Sequence, residues 1–334
     1  MPLNTSGTLS IGGSTVGQSI NLELNRAATA SSNLNETPLR TLAGVASGQI
    51  SISNFYGKAN DITSQYALFI NTATSTTATF KVSFSSYTGL SSTNRNYSTS
   101  FPAAVGNTTQ AIIGGGGTTI SDFTVTTNKF VFSGNVVSAA TNLNINRGNH
   151  TTFGNASVGI FCGGATFNGA ALASATVTSR YVYSGDTCAA SATLSFTNAN
   201  YTRGAGAGNS TIGLYLLYTF TSRFTYSTST MANGTSLTVT QNARGDGASA
   251  TTAIVYLLAA STFQTYNLST NAVTSAASSF DASQGGATGN NTVGLHGSST
   301  VLNIITYSTN TITSTTKPYS FTTAYAVGNP PGGL

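Results

Sequence analysis

The sequence predicts a mainly β protein, a six-bladed β-propeller preceded by a small N-terminal module with one or two short helices. Three observations predict it. The polar residues are almost all uncharged, a Gly-Asn motif recurs along most of the chain, and a strand pattern with alternating aromatic residues follows each motif.

Composition favours strands over helices. Only 6% of the 334 residues are charged, against about 25% in an average soluble domain. The polar surface must therefore come from Ser, Thr, Asn and Gly, which are poor helix formers. The 15 Tyr and 17 Phe argue against disorder, because disordered segments are poor in aromatic residues. A folded β structure is expected.

An internal repeat begins beyond about residue 61. Its clearest mark is a Gly-Asn pair followed by small polar residues and an apolar pair, and spacings of 39 to 54 residues suit propeller blades. The marks start at Gly106, Gly154, Gly208, Gly289 and Gly328, with a degenerate copy at Gly247.

A strand with aromatic residues at alternating positions follows each mark. This period of two is typical of a half-buried strand, and we expect the aromatic face to pack against the next blade. Residues 79–85 have the same pattern without a preceding mark, so an opening copy at 62–105 makes six repeats. The other copies of this strand start at Asn128, Ser179, Ser222, Thr262 and Asn303.

Stacked repeats of about 40 residues bury each other's apolar faces, and closure into a ring protects the outermost strands of the stack. A late segment, Lys317 to Val327, is expected to complete the sheet that the first copy begins. A β-sandwich or a β-helix remains the alternative, because the repeat lengths are uneven and the chain has no Trp.

The N-terminal module, residues 1–60, contains the predicted helices. Asn35 is expected to cap a helix over 36–43 that Gly44 ends. A second amphipathic helix is predicted over 15–24 and a strand over 50–53. Residues 61–334 form the β-repeat domain.

A basic or amide residue precedes several marks. A buried arginine can donate hydrogen bonds to several carbonyls, so these residues are predicted to bridge adjacent blades; a ring of arginines around a central channel is the alternative. The positions are Arg95, Arg147, Arg203, Arg244 and Gln284.

The Gly-Asn-Ser-Thr-Ile-Gly type of mark and the aromatic strands resemble the degenerate kelch-like repeats of structural proteins from tailed phages. The chain differs from ordinary kelch proteins because the kelch double glycine is recognised in only two of the repeats, at 114–117 and 163–164, and Trp is absent. Residues 34–45 and 47–58 look like the N-terminal module of such virion proteins. The resemblance implies a homo-oligomeric particle component, a tail fibre or baseplate-associated protein, in which residues 1–60 bind other virion proteins.

Two functions are compatible with that resemblance. In the first, the propeller is an adhesin that contacts a host-surface glycan through tyrosines in loops, for which the candidates are Tyr87, Tyr97, Tyr201 and Tyr325. In the second, the protein decorates the capsid or reinforces the baseplate without binding the host.

No catalytic, metal-binding or cofactor-binding site is predicted. The seven carboxylates are dispersed and form no pair close in sequence of the kind that glycosidases use. His150 and His296 have no evident acidic partner. The run Gly114 to Gly117 lacks the Lys-Ser/Thr tail of a phosphate-binding loop and is interpreted as a tight turn.

Other classes of partner and compartment are not indicated either. The net charge of +5 comes from scattered basic residues, so nucleic-acid binding is not expected. The N-terminus resembles no signal peptide, and the apolar stretch 253–260 is too short to span a membrane, so assembly in the host cytoplasm is expected. Two cysteines, Cys162 and Cys188, cannot form a disulfide framework; free thiols are favoured and one local disulfide stays open.

Overall fold

The computed structural model forms two compact units, Met1–Gln65 and Tyr66–Leu334; the sequence analysis placed the boundary after residue 60. The structure describes residues 3–15, 17–24, 27–45, 47–56, 66–71, 76–84, 86–119, 122–132, 135–167, 171–194, 204–217, 219–237, 243–248, 252–257, 262–277, 286–290, 293–297, 301–307, 309, 311–319 and 324–327.

The N-terminal unit contains two short α-helices and a 3-10 helix. Helix α1, Ile20–Glu23, is much shorter than predicted, and Ser19 caps it by accepting a hydrogen bond from Leu22 N. Helix α2, Thr37–Ala43, ends as predicted before Gly44, whose φ is +71°. Its buried residues pack with those of α1 into one core: Leu3, Ile20, Leu24, Leu39, Leu42, Ala43 and Phe55.

Two predictions for this unit are wrong. Helix α2 begins at Thr37, so Glu36 and not Asn35 is the residue that flanks it, and Asn35 Oδ1 instead accepts a hydrogen bond from Arg40 Nε at 3.0 Å. The predicted strand over 50–53 is instead the 3-10 helix Ile52–Phe55. The Asn54 side chain accepts a hydrogen bond from Ser51 N at 2.8 Å, and such a local bond stabilises a turn at the expense of an extended chain.

The larger unit consists of four-stranded antiparallel sheets. Five are built from continuous stretches of chain, and another combines the last strand with the first three. The strands are β1 Tyr66–Asn71, β2 Thr79–Ser83, β3 Gly89–Ser91, β4 Ala103–Gly106, β5 Gln110–Gly114, β6 Thr127–Val131, β7 Val136–Ala139, β8 Thr151–Gly154, β9 Val158–Cys162, β10 Ala165–Phe167, β11 Leu172–Ser174, β12 Val177–Val182, β13 Thr187–Thr193, β14 Ala205–Gly208, β15 Ile212–Leu217, β16 Phe220–Thr225, β17 Thr230–Asn233, β18 Ala243–Ala248, β19 Thr252–Leu257, β20 Thr262–Asn267, β21 Ala272–Ala277, β22 Ala287–Gly289, β23 Val293–Gly297, β24 Val301–Thr306, β25 Thr311–Thr316 and β26 Ala324–Val327. The sheets, written from first to fourth strand, are β26-β1-β2-β3, β4-β5-β6-β7, β8-β9-β12-β13, β14-β15-β16-β17, β18-β19-β20-β21 and β22-β23-β24-β25. A hairpin of β10 and β11 is inserted between the second and third strands of one sheet.

The sheets close into a ring. The first strand of each sheet lies beside the first strand of the next, in the order β4, β8, β14, β18, β22, β26 and back to β4. β26 pairs with β1 from Leu68–Val327 to Asn71–Ala324, so the late segment completes the first sheet as predicted. The prediction of a mainly β propeller is confirmed.

Apolar clusters join consecutive sheets. Phe130 on β6 packs with Leu68 and Ile70 on β1, and Tyr181 on β12 packs with Val105 and Ile112 of the sheet before it. The aromatic strands therefore pack against the preceding sheet, whereas the sequence analysis expected the next one. Another cluster joins the last sheet to the first, with Leu295 and Leu302 beside Phe69. Since these sheets share their cores, each depends on its neighbours.

The Gly-Asn mark forms the turn between the first and second strands. Asn155 Oδ1 accepts hydrogen bonds from Ser157 N and Val158 N at 2.9 and 3.0 Å, which fixes the turn. Its Nδ2 donates to Ser210 O at 2.9 Å in the equivalent turn of the following sheet. Asn107 makes the same type of contact to Ala156 O. The mark therefore recurs because it links neighbouring turns.

The glycines of the mark leave room for side chains of two sheets. A Cβ at Gly213 would lie 2.1 Å from Phe153 Cδ2 in the preceding sheet and 2.8 Å from Tyr226 Oη in its own. A Cβ at Gly159 would meet Val105 and Tyr183 in the same way. Glycine is required here by close packing.

Candidate functional site

The tyrosines proposed from the sequence do not form one exposed cluster. Tyr87 lies in the turn between β2 and β3 with φ +57° and packs, half-buried, on the cluster joining the first and last sheets. Tyr97, in the connection between β3 and β4, donates to Ile113 O at 3.4 Å, and burial raises the pKa of its phenol. Both rings have packing roles, and glycan binding by them stays a prediction.

The other two candidates are described less completely. Tyr201 lies outside the described residues. Tyr325 lies on β26, where its backbone is paired opposite Ile70, and its side chain is outside the description. Their proposed contacts with a glycan also stay predictions.

The recurring arginines have structural roles where their side chains are described. Arg147 is fully buried and donates to Phe161 O, Val177 O and Ser179 Oγ at 3.1, 2.7 and 3.0 Å. These acceptors belong to one sheet, so Arg147 fastens the connection before β8 to its own sheet and does not bridge two. Arg95 donates to Asn71 O, Thr76 O and Thr99 O. Arg203, Gln284 and the side chain of Arg244 lie outside the described residues.

The two histidines and Cys162 are buried in the propeller core, and Cys188 is half-buried. His150 and His296 are 0% and 1% exposed, and His296 Nδ1 lies 3.3 Å from Asn303 Nδ2. Cys162 and Cys188 are free thiols, and burial raises the pKa of both. The described residues contain no group of three His, Cys, Asp or Glu side chains suited to a metal ion.

The two described carboxylates of the propeller support turns. Asp122 accepts hydrogen bonds from Thr118 N and Thr119 N at 3.1 and 2.6 Å, and its bond from the Thr118 hydroxyl lowers its pKa. Asp186, in the turn between β12 and β13, pairs with Lys129 Nζ at 3.3 Å across two sheets. Each carboxylate has a local partner.

A groove of about 390 Å³ lies on the surface formed by β12, β13 and the turn before β17. Arg180, Thr187, Ser191 and Ser229 line it together with Val182 and three alanines of β13. Ser191 Oγ and Arg180 Nε are buried and have no hydrogen-bond partner in the described part of the chain. The groove therefore offers a ligand one guanidinium group and several hydroxyl groups, beside the methyl groups of the alanines.

The outermost strand of every sheet lacks charged residues. β13 has the sequence Thr-Cys-Ala-Ala-Ser-Ala-Thr, and five of the six residues of β25, Thr-Ile-Thr-Ser-Thr-Thr, are exposed. Such strands usually carry charges that discourage pairing with other chains. The outermost strands of this propeller present mainly hydroxyl and methyl groups instead.

Comparisons with known proteins show the fold alone. The solved structure titled "Structure of YjhT" is similar, with a TM-score of 0.55 and 10% identity over 75% of this chain and 94% of that one. The propeller is a known fold. No family model and no curated protein matches the sequence. None of the helices in the described ranges is long and apolar enough to cross a membrane.

Sequence reasoning missed the groove at Arg180. A signal was present, because Lys81, Lys129, Arg180 and Arg223 occupy one repeat position on the third strand of successive sheets. The sequence does not show which of these side chains reaches a partner, since each partner lies in the following sheet.

Proposed function

We propose that this protein is an attachment component of a tailed-phage particle. Residues 1–60 join it to other virion proteins, and the kelch-like propeller binds a host-surface glycan as part of a homo-oligomer. The resemblance of residues 34–58 to virion modules supports the first part. The division into two compact units is compatible with separate anchoring and binding roles.

The observation that carries the binding role is the uncharged sequence of the outermost strands. Exposed hydroxyls lie at Thr187 and Thr193 on β13, at Thr230 on β17 and along β25, and hydroxyl groups can exchange hydrogen bonds with sugars. A single site of this kind binds weakly. Several linked copies raise the avidity by roughly 10² to 10⁴ when they bind together.

A non-catalytic role is part of the proposal. Asp122 and Asp186 are engaged in turns and an ion pair, whereas a glycosidase needs two carboxyl groups facing one bond. Incubation with host polysaccharide should release no reducing sugar. Sustained release of reducing sugar by the wild-type protein, lost when an Asp or Glu is replaced by its amide, would contradict the non-catalytic role.

The main experiment measures attachment of the labelled full chain to host cells before and after periodate oxidation of surface glycans. We expect binding to fall strongly after oxidation, and unchanged binding would contradict glycan recognition. Phage particles assembled with a truncated chain that lacks residues 1–60 should not contain this protein. Normal incorporation of the truncated chain would contradict the anchor role.

The second candidate is a decoration or reinforcement protein of the capsid or baseplate. The sheet-to-sheet hydrogen bonds of the Gly-Asn turns favour a rigid, protease-resistant exterior. Labelling on the particle separates the two candidates. Copies at the tail tip support attachment, and regular copies over the head support decoration.

A further inference from the structure

One position on the third strand of four successive sheets carries a basic residue, and three of these reach the following sheet. Lys81 Nζ donates to Phe132 O at 3.4 Å, and Arg223 donates to Leu268 O at 2.6 Å. Lys129 Nζ pairs with Asp186 at 3.3 Å. The ordinary role of this position is therefore a contact between sheets.

Arg180 is the exception. No hydrogen bond or ion pair joins its guanidinium to the described residues, and its Nε is buried. The cause lies in the turn of the following sheet. The residue with positive φ there is Ser229, at +53°, in the place where the preceding sheet has Asp186, at +47°. Serine supplies no carboxylate, so no described residue acts as a counter-ion to Arg180.

The space in front of Arg180 is suited to a small ligand. The groove volume of about 390 Å³ falls within the range of small-molecule sites, about 300 to 1,000 Å³. Alanines of β13 leave this space open, and the hydroxyls of Thr187 and Ser191 flank it. Ser191 Oγ is a buried polar atom that lacks a partner among the described residues.

We propose that this groove binds the carboxylate of an acidic sugar, such as a hexuronate in a surface polysaccharide. The planar guanidinium of Arg180 matches a carboxylate in two parallel hydrogen bonds, and the hydroxyls of Ser191 and Thr187 accept and donate to the sugar ring. A single cation balances one carboxylate. This inference rests on the proposed glycan-binding function and names the class of glycan.

The test compares methyl glucuronide with methyl glucoside, which differ at the carboxylate, by ligand-observed NMR titration of the full chain. We expect the wild-type protein to bind the glucuronide at least about tenfold more tightly, with a preference that weakens as salt is raised. Equal binding of the two sugars, or no binding of either, would overturn the inference.

Three variants locate the site. Arg180→Gln should abolish the preference for the glucuronide, whereas the matched Arg223→Gln should keep it. Ser229→Asp places a carboxylate where Asp186 stands in the preceding sheet, so it should pair with Arg180 and abolish the preference without lowering the unfolding midpoint. Retention of the preference in both Arg180→Gln and Ser229→Asp would refute the site.

Different results would reject the acidic-sugar site and the glycan-binding function. If attachment to cells is periodate-sensitive but unaffected by Arg180→Gln, glycan binding stands and the acidic-sugar groove is rejected. If attachment survives periodate, the glycan-binding function itself is rejected.

Discussion

Asn155 offers a direct test of how the propeller is held together. Replacing it with alanine removes two hydrogen bonds within its own turn, to Ser157 N and Val158 N, and one to Ser210 O in the following sheet. Each bond contributes about 1 kcal/mol, and water replaces part of the loss because Asn155 is half-exposed. We expect Asn155→Ala to lower the free energy of unfolding by about 2 kcal/mol.

Asn155→Asp separates the two contributions. A carboxylate still accepts from the two backbone N–H groups but cannot donate to Ser210 O, so we expect a loss of about 1 kcal/mol. Asn233→Ala is the control, since Asn233 is exposed at the end of β17; surface changes of this kind stay within about 0.5 kcal/mol.

The assay is urea unfolding followed by far-ultraviolet circular dichroism, because the chain has no Trp for fluorescence. A value for Asn155→Ala within about 0.5 kcal/mol of the wild type would refute the structural role of the mark. If Asn155→Asp is as damaging as Asn155→Ala, the bond between the sheets matters more than the turn.

Three further predictions concern packing, ionisation and closure. Gly213→Ala should destabilise the protein by about 1 to 3 kcal/mol, because its Cβ would overlap Phe153; an unchanged urea midpoint would contradict that clash. Burial raises the pKa of Tyr183 above that of the unfolded chain, so unfolding releases its proton above about pH 10 and stability falls by about 1.4 kcal/mol per pH unit. Tyr183→Phe removes a buried hydroxyl that has no partner among the described residues, so it should leave stability at pH 7 unchanged or raise it. The variant should also lose less stability than the wild type between pH 10 and 12, and an equally steep loss in urea unfolding over that range would contradict the prediction. Deleting residues 320–334 removes β26 and leaves β1 paired with β2 alone, with its other edge open, so size-exclusion chromatography should show association or unfolding, and a monomer of wild-type stability would refute closure.

Local steric demands explain which predictions succeeded. The glycine at 213 and the asparagine at 155 each meet a requirement that recurs in several of the sheets, so their recurrence in the sequence indicated the blades. The strand predicted over 50–53 failed because one side-chain bond, from Ser51 N to Asn54, decides the local conformation. Alternation of apolar residues contains no information about that bond.

The sequence alone is enough to predict the class of the fold, the repeat and the strand that closes the ring, because these follow from composition, periodicity and glycine spacing. The packing of one sheet on another sets the rest: it determines which sheet each aromatic residue packs against and which basic residue has no partner among the described residues. Arg180 and Arg223 occupy the same position in the repeat, but their environments depend on turns more than 40 residues away. The guanidinium of Arg223 reaches Leu268 O, whereas that of Arg180 faces a groove beside Ser229.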